Sequence, residues 1–108
     1  MDADAARGET GSEVAGAVVT SLVAQGDGWE LRQVVAPPGA THGPRQAEVD
    51  ACVVVLGGEL VFRVDGRPHT LNAHAALFVP AGALRAFVAG RQGARFLALH
   101  LAPRPAAS

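Results

Sequence analysis

The stretch PPGATHGPRQAEVDACVVVLGGELVF, residues 37–62, decides the fold. A proline-glycine turn opens it and a polar loop follows. The apolar run ACVVVL then leads through Gly57-Gly58 into ELVFRV. A short Val-rich run bounded by Gly and Pro signals is the mark of a buried strand. In ELVFRV, Leu60, Phe62 and Val64 alternate with Glu59, Val61 and Arg63, which gives one core face and one wetter face. ACVVVL is apolar on both faces, so it predicts a strand with a barrel interior on one side and a cover on the other. Gly57-Gly58 is expected to turn the chain between these two strands.

The same grammar continues outward. AVVTSLVA, WELRQVVA, PHTL, AALFVP, LRAFVA and RFLALHL are short apolar-rich runs separated by Gly, Pro and Asp-Gly. Strands at this spacing point to an all-β sandwich or barrel. Asp65-Gly66 reads as a two-residue hairpin turn, because both positions tolerate positive φ. A chain of 108 residues holds one modest core. Residues 17–102 are assigned to that β-barrel domain. Residues 1–16, small and polar without periodicity, and the proline-spaced residues 103–108 read as loosely ordered tails.

Composition narrows the function classes. With 49% hydrophobic and 18% charged residues the chain is globular, and a net charge of −1 gives no electrostatic basis for nucleic-acid or membrane partners. Cys52 is the one cysteine, so no intrachain disulfide forms; on an apolar strand it reads as an inert core residue. The N-terminus lacks the apolar segment of a signal peptide and no run is long enough to span a membrane, so a cytoplasmic location is expected.

From Trp29 to Pro103 the chain resembles a small single-domain cupin, a β-barrel or jelly roll with two signature motifs. The family's first motif runs glycine, five residues, His-x-His, three or four residues, Glu, six residues, glycine. Here Gly39 is followed by five residues, Arg45-x-Ala47, three residues, Ala51, six residues and Gly58. The second runs glycine, five residues, Pro-x-Gly, two residues, His, three residues, Asn. Here it reads His74, five residues, Pro80-Ala81-Gly82, two residues, Arg85, three residues, Ala89. The resemblance implies an all-β cupin barrel and, through the family habit of pairing sheet faces, a homodimer covering the outside of ACVVVL.

The departures lie in the chemistry. Arg45, Ala47, Ala51 and Arg85 stand where the resemblance places metal donors. Alanine has no donor atom and a guanidinium stays protonated, so none of the four ligates a divalent cation. A degenerate metal site is expected, with no metal and no cofactor. Arg85, Phe87 and Ala89 share a strand face, which the family register turns inward. Arg45 and Arg85 beside an apolar lining of Val53, Val55, Phe62 and Phe87 suit a small organic anion. His42, just before the ligand loop, and His100, on the last strand, are the candidate acid–base groups. His69 and His74 read as turn residues. Three readings stand: a metal-independent isomerase, cyclase or lyase; a non-catalytic ligand-sensing barrel; and a metal-dependent oxygenase or isomerase with a site rebuilt from His42, His69, His74 or His100.

Overall fold

The computed structural model describes residues 17–102; the expected tails at 1–16 and 103–108 lie outside the described residues. The described residues form seven strands and no helix: β1 (Val19–Gly26), β2 (Trp29–Ala36), β3 (Thr41–Gln46), β4 (Asp50–Val64), β5 (Arg67–Asn72), β6 (Ala76–Val79) and β7 (Leu84–Leu101). All pairings are antiparallel, and the all-β jelly-roll barrel expected from the sequence is what forms.

β4 and β7 are long enough to serve both walls. The first half of β4, Asp50 to Val55, pairs with β6 and with the end of β7; the same end of β7 also pairs with β2, and β2 with β1. The second half, Glu59 to Val64, pairs with β5 and with the start of β7, which also carries β3. The two walls thus share two bent strands and face each other across a core containing Val55, Leu60 and Val79, all fully buried.

The bend differs from the expected turn at Gly57-Gly58. ACVVVL and ELVFRV belong to one strand, with register shifts between Val55 and Gly57 and between Gly58 and Leu60. Extra residues there keep side chains five apart, Val55 and Leu60, on the same inner face, which simple alternation forbids. Gly58 has φ 77°, and a Cβ on it would overlap the Gly93 carbonyl oxygen, so only glycine lets β4 cross β7 this closely. LRAFVA and RFLALHL are likewise one strand, β7.

Other sequence expectations hold locally. Asp65 and Gly66 have φ of 52° and 82°, the positive pair a tight hairpin needs. Leu60 and Phe62 are buried while Glu59 and Arg63 are exposed. Cys52 is a correction: it lies half-buried on the face of β4 opposite the barrel interior, as a free thiol outside the core cluster. That outer face is apolar across several strands. Val19 lies beside Val35, Cys52 between Phe78 and Leu99, and Trp29 beside Leu101. Val19, Val35, Phe78, Trp29 and Leu101 are all exposed large hydrophobics.

Candidate functional site

The open end of the barrel is built by latching the two motif loops together. Ala47 N–H donates to Ala83 O at 2.8 Å, and Gly82 N–H donates to Ala47 O at 2.7 Å. Asp50 Oδ1 accepts from Ala81 N–H at 2.8 Å, and Asp65 Oδ1 accepts from Leu84 N–H at 2.8 Å. These bonds hold the Pro80-Ala81-Gly82 turn and the first residue of β7, and so aim Arg85. As the alternation predicts, Phe87 and Ala89 are buried while Leu84 and Val88 are exposed. Arg85 shares the inner face at its outer end.

On β3 the chain uses a bulge. His42 pairs with Phe87 and Arg45 with Arg85, so three steps on β3 match two on β7. Strict alternation would put His42 and Arg45 on opposite faces; the extra residue puts both on the cavity side. Gly43 makes this possible. Its φ is 90°, and a Cβ there would lie 2.6 Å from the Arg85 carbonyl oxygen.

Two connected spaces result. An interior cavity of about 260 Å³ is lined by His42, His100, Arg32 and Arg85 together with Val53, Phe62, Phe87, Phe96 and other apolar side chains. A mouth of about 620 Å³ is lined by Arg45, Ala47, Ala51, Glu30 and Glu48, and shares Arg32, Ala51, Arg85 and His100 with the interior. The structure therefore brings together His42, His100, Arg85, Phe87, Val53 and Phe62, with Arg45 exposed at the rim. Val55 is fully buried, below the lining. His69 is not a turn residue: it lies half-buried on β5, paired with Phe62. His74 sits in an exposed turn at φ 76°, a position suited to glycine.

Arg32 and Glu30 were not legible in the sequence. On β2, Glu30, Arg32 and Val34 face the barrel and Leu31, Gln33 and Val35 face away; both sets mix polar with apolar residues, so alternation alone cannot choose between them. Arg32 donates to Glu30 from Nε at 2.8 Å and from Nη2 at 3.1 Å. That pair neutralises Arg32. Among the described residues, Arg85 and Arg45 have no carboxylate partner.

The charges reset the histidines. Burial, then the nearby Arg85 and Arg45 guanidiniums, hold His42 below the usual histidine range. Burial, then Arg85, lowers His100; Glu30 opposes this and Arg32 adds to it. Both imidazoles are therefore neutral near pH 7. His42 stacks on Phe87 with centroids 5.3 Å apart, and His100 Nδ1 is buried without a hydrogen-bond partner. A pH consequence follows from the sign of these shifts. Between the ordinary histidine value and the lowered folded values, the unfolded chain binds more protons, so stability falls as pH falls. Thermal melts of unliganded protein should give a Tm that is level above about pH 7 and declines between about pH 6.5 and pH 5. A level Tm across that interval contradicts the placement of the two imidazoles.

A divalent metal does not fit this donor set. The four positions matching the family ligands do converge at the mouth, but as Arg45, Ala47, Ala51 and Arg85. Among the described residues, no group of three His, Cys, Asp or Glu side chains is placed to hold a metal ion. His42 and His100 face the cavity with a guanidinium near both.

Comparison with known proteins agrees with this architecture. A family model described as "Cupin domain" matches residues 32–100. Similar solved structures include KdgF from Halomonas sp., at 21% identity and TM-score 0.76, covering 86% of each chain. A cupin superfamily protein from Desulfitobacterium hafniense DCB-2 matches at 23% identity and TM-score 0.74, covering 85% of this chain and 84% of that one. Among curated proteins, endoribonuclease YbeY of Myxococcus xanthus (strain DK1622) is 36% identical over 70 residues. That match covers 65% of this chain and 22% of the relative, so the chain spans about a fifth of the relative's length.

Proposed function

The chain belongs to the cupin domain family, and from that premise we propose that it binds a small organic anion in a metal-free barrel pocket and acts on it by acid–base chemistry. The observation that carries this reading is Arg85. Its guanidinium is half-buried at the junction of mouth and cavity, has no carboxylate partner among the described residues, and lies close enough to lower both His42 and His100. Such a cation is solvated incompletely by the protein, and an anionic ligand completes it through charge-assisted hydrogen bonds of about 1.5–3 kcal/mol.

The chemistry follows from the charges. Arg85 holds a carboxylate or enolate oxygen, with Arg45 adding attraction at the rim. A neutral His42 or His100 takes a proton from the carbon next to that group, and the developing negative charge moves onto the oxygens facing Arg85. Return of the proton to another carbon gives an isomerisation, and departure of a leaving group with the released electron pair gives an elimination. Addition of the carbanion to a carbonyl of the same ligand, whose oxygen takes the proton from the imidazolium, gives a cyclisation. Burial and cationic neighbours suit both imidazoles to the base role, because they keep the free nitrogen unprotonated at neutral pH.

The test uses purified protein and its variants. Elemental analysis should find no stoichiometric Fe, Ni, Mn or Zn, and His42→Ala or His100→Ala should reduce turnover by about a hundredfold while the fold is kept. A metal-to-protomer ratio near one overturns the metal-free reading. Ligand binding that survives both changes, with no product formed, replaces catalysis with ligand sensing.

The same reading includes a cytoplasmic homodimer. The outer wall of β1, β2, β7, β4 and β6 carries Val35, Phe78 and Leu101 in the open, and a contiguous apolar face of this kind is costly in water. Light scattering at micromolar concentration should give twice the chain mass; a monomer contradicts the pairing.

A further inference from the structure

We infer that the ligand is a compact apolar monocarboxylate, of aromatic-ring size, bound with its carboxylate at Arg85 and its hydrocarbon body buried toward Phe96. This rests on the anion-binding reading above and narrows it to a substrate class.

The strand registers set the interior out in tiers. Arg85 pairs with Arg45, and His100 pairs with Ala51 and Glu30; these residues form the outer tier at the mouth. One step in along each strand, Phe87 pairs with His42 and Phe62, and Ala98 with Val53 and Arg32. A further step in, Phe96 pairs with Val34 and Val55. Ionic and titratable groups therefore occupy the outer tier and, with Arg32 and His42, part of the middle one, and only the inner tier is wholly hydrocarbon. The three phenylalanines form one cluster, with Phe87 5.9 Å from Phe62 and 5.3 Å, edge-on, from Phe96.

Polar capacity decides against a hydroxylated ligand. No polar or charged residue among the described ones is fully buried, and the cavity lining beyond the ionic groups offers one hydroxyl, on Thr20. Arg32, His42, Arg85 and the unpartnered His100 Nδ1 all lie in the outer and middle tiers, so a sugar acid reaching Phe96 would leave its deeper hydroxyls unpaired. Each such loss weakens binding about fivefold to a hundredfold. An apolar ring loses nothing there and gains the contact of Phe62, Phe87 and Phe96.

Size and charge agree. An apolar cavity of about 150 Å³ accommodates benzene, so about 260 Å³ takes a ring with a short side chain that reaches the mouth. Glu30 cancels Arg32, and Arg45 is exposed at the rim, outside the cavity lining. Among the described residues, Arg85 is then the one unpaired cation shared by mouth and cavity, which matches a single carboxylate.

Titration calorimetry on the full chain with four probes tests the class. 3-Phenylpropanoate should bind, and 3-phenylpropanamide, glucuronate and inorganic phosphate should each bind at least about tenfold more weakly. Ala98→Leu, which fills the middle tier, should weaken 3-phenylpropanoate by about tenfold or more in protein whose melt stays cooperative. Glucuronate or phosphate binding as tightly as 3-phenylpropanoate overturns the apolar class while leaving the anion site standing. The amide binding as tightly as the acid overturns the anion site itself. Unchanged 3-phenylpropanoate affinity in a folded Ala98→Leu protein places the ring outside the cavity and overturns the orientation. Failure of all four probes to bind at millimolar concentration overturns both.

Discussion

Arg85→Met is expected to weaken binding of an organic carboxylate by about tenfold to a hundredfold while leaving the Tm unchanged or higher. The binding loss corresponds to one charge-assisted interaction of about 1.5–3 kcal/mol. The stability gain has a separate cause. Burial and the neighbouring Arg45 push the Arg85 guanidinium below its ordinary value, which means the free barrel holds its charge at a cost. Removing a half-buried cation that has no carboxylate partner among the described residues relieves that cost, and Met keeps an unbranched apolar side chain of similar length on the inner face. Both readouts, calorimetric titration and thermal melting, come from one sample. A variant that binds normally removes Arg85 from the site. A Tm lower by several degrees makes Arg85 a structural residue whose partner lies elsewhere.

Phe87→Ala is expected to cost about 3–5 kcal/mol, a large share of the stability of a domain this size. Phe87 is 4% exposed and touches three rings, His42, Phe62 and Phe96, from both walls of the barrel. Truncation leaves a void at the junction of cavity and core, which the bent strands cannot close because β3 and β4 are both paired with β7 at that point. The Tm should fall by on the order of 15 °C or more. Val88→Ala is the matched control. Its side chain, on the next residue of the same strand, is 43% exposed, and the loss should stay under about 1 kcal/mol. Urea denaturation of the two variants measures both; similar losses would mean that the inner face of β7 is misassigned.

The alternation of Arg85, Phe87 and Ala89 against Leu84, Ala86 and Val88 was readable in the chain, because a strand's side chains change face at every residue. So were the Asp65-Gly66 hairpin and the spacing between Gly39 and Gly58 that sets Arg45, Ala47 and Ala51 at the mouth. What alternation cannot carry is a change of parity. His42 and Arg45 share a face because β3 bulges at Gly43 against β7, and Val55 and Leu60 share one because β4 bulges at Gly58.

Depth was equally out of reach. Val53 and Val55 follow the same inward pattern, yet Val53 lines the cavity and Val55 lies beneath it. Glu30 and Arg32 entered the site on a strand whose two faces look alike in composition. The sequence by itself determined the β architecture, its hairpin, its glycine anchors and the absence of donor atoms at the four family ligand positions, since each follows from residue type and local period. Tertiary structure alone decided which charged groups meet at the mouth and how far each apolar side chain lies below it. Those depend on the register against a partner strand, where one inserted residue reverses every face that follows.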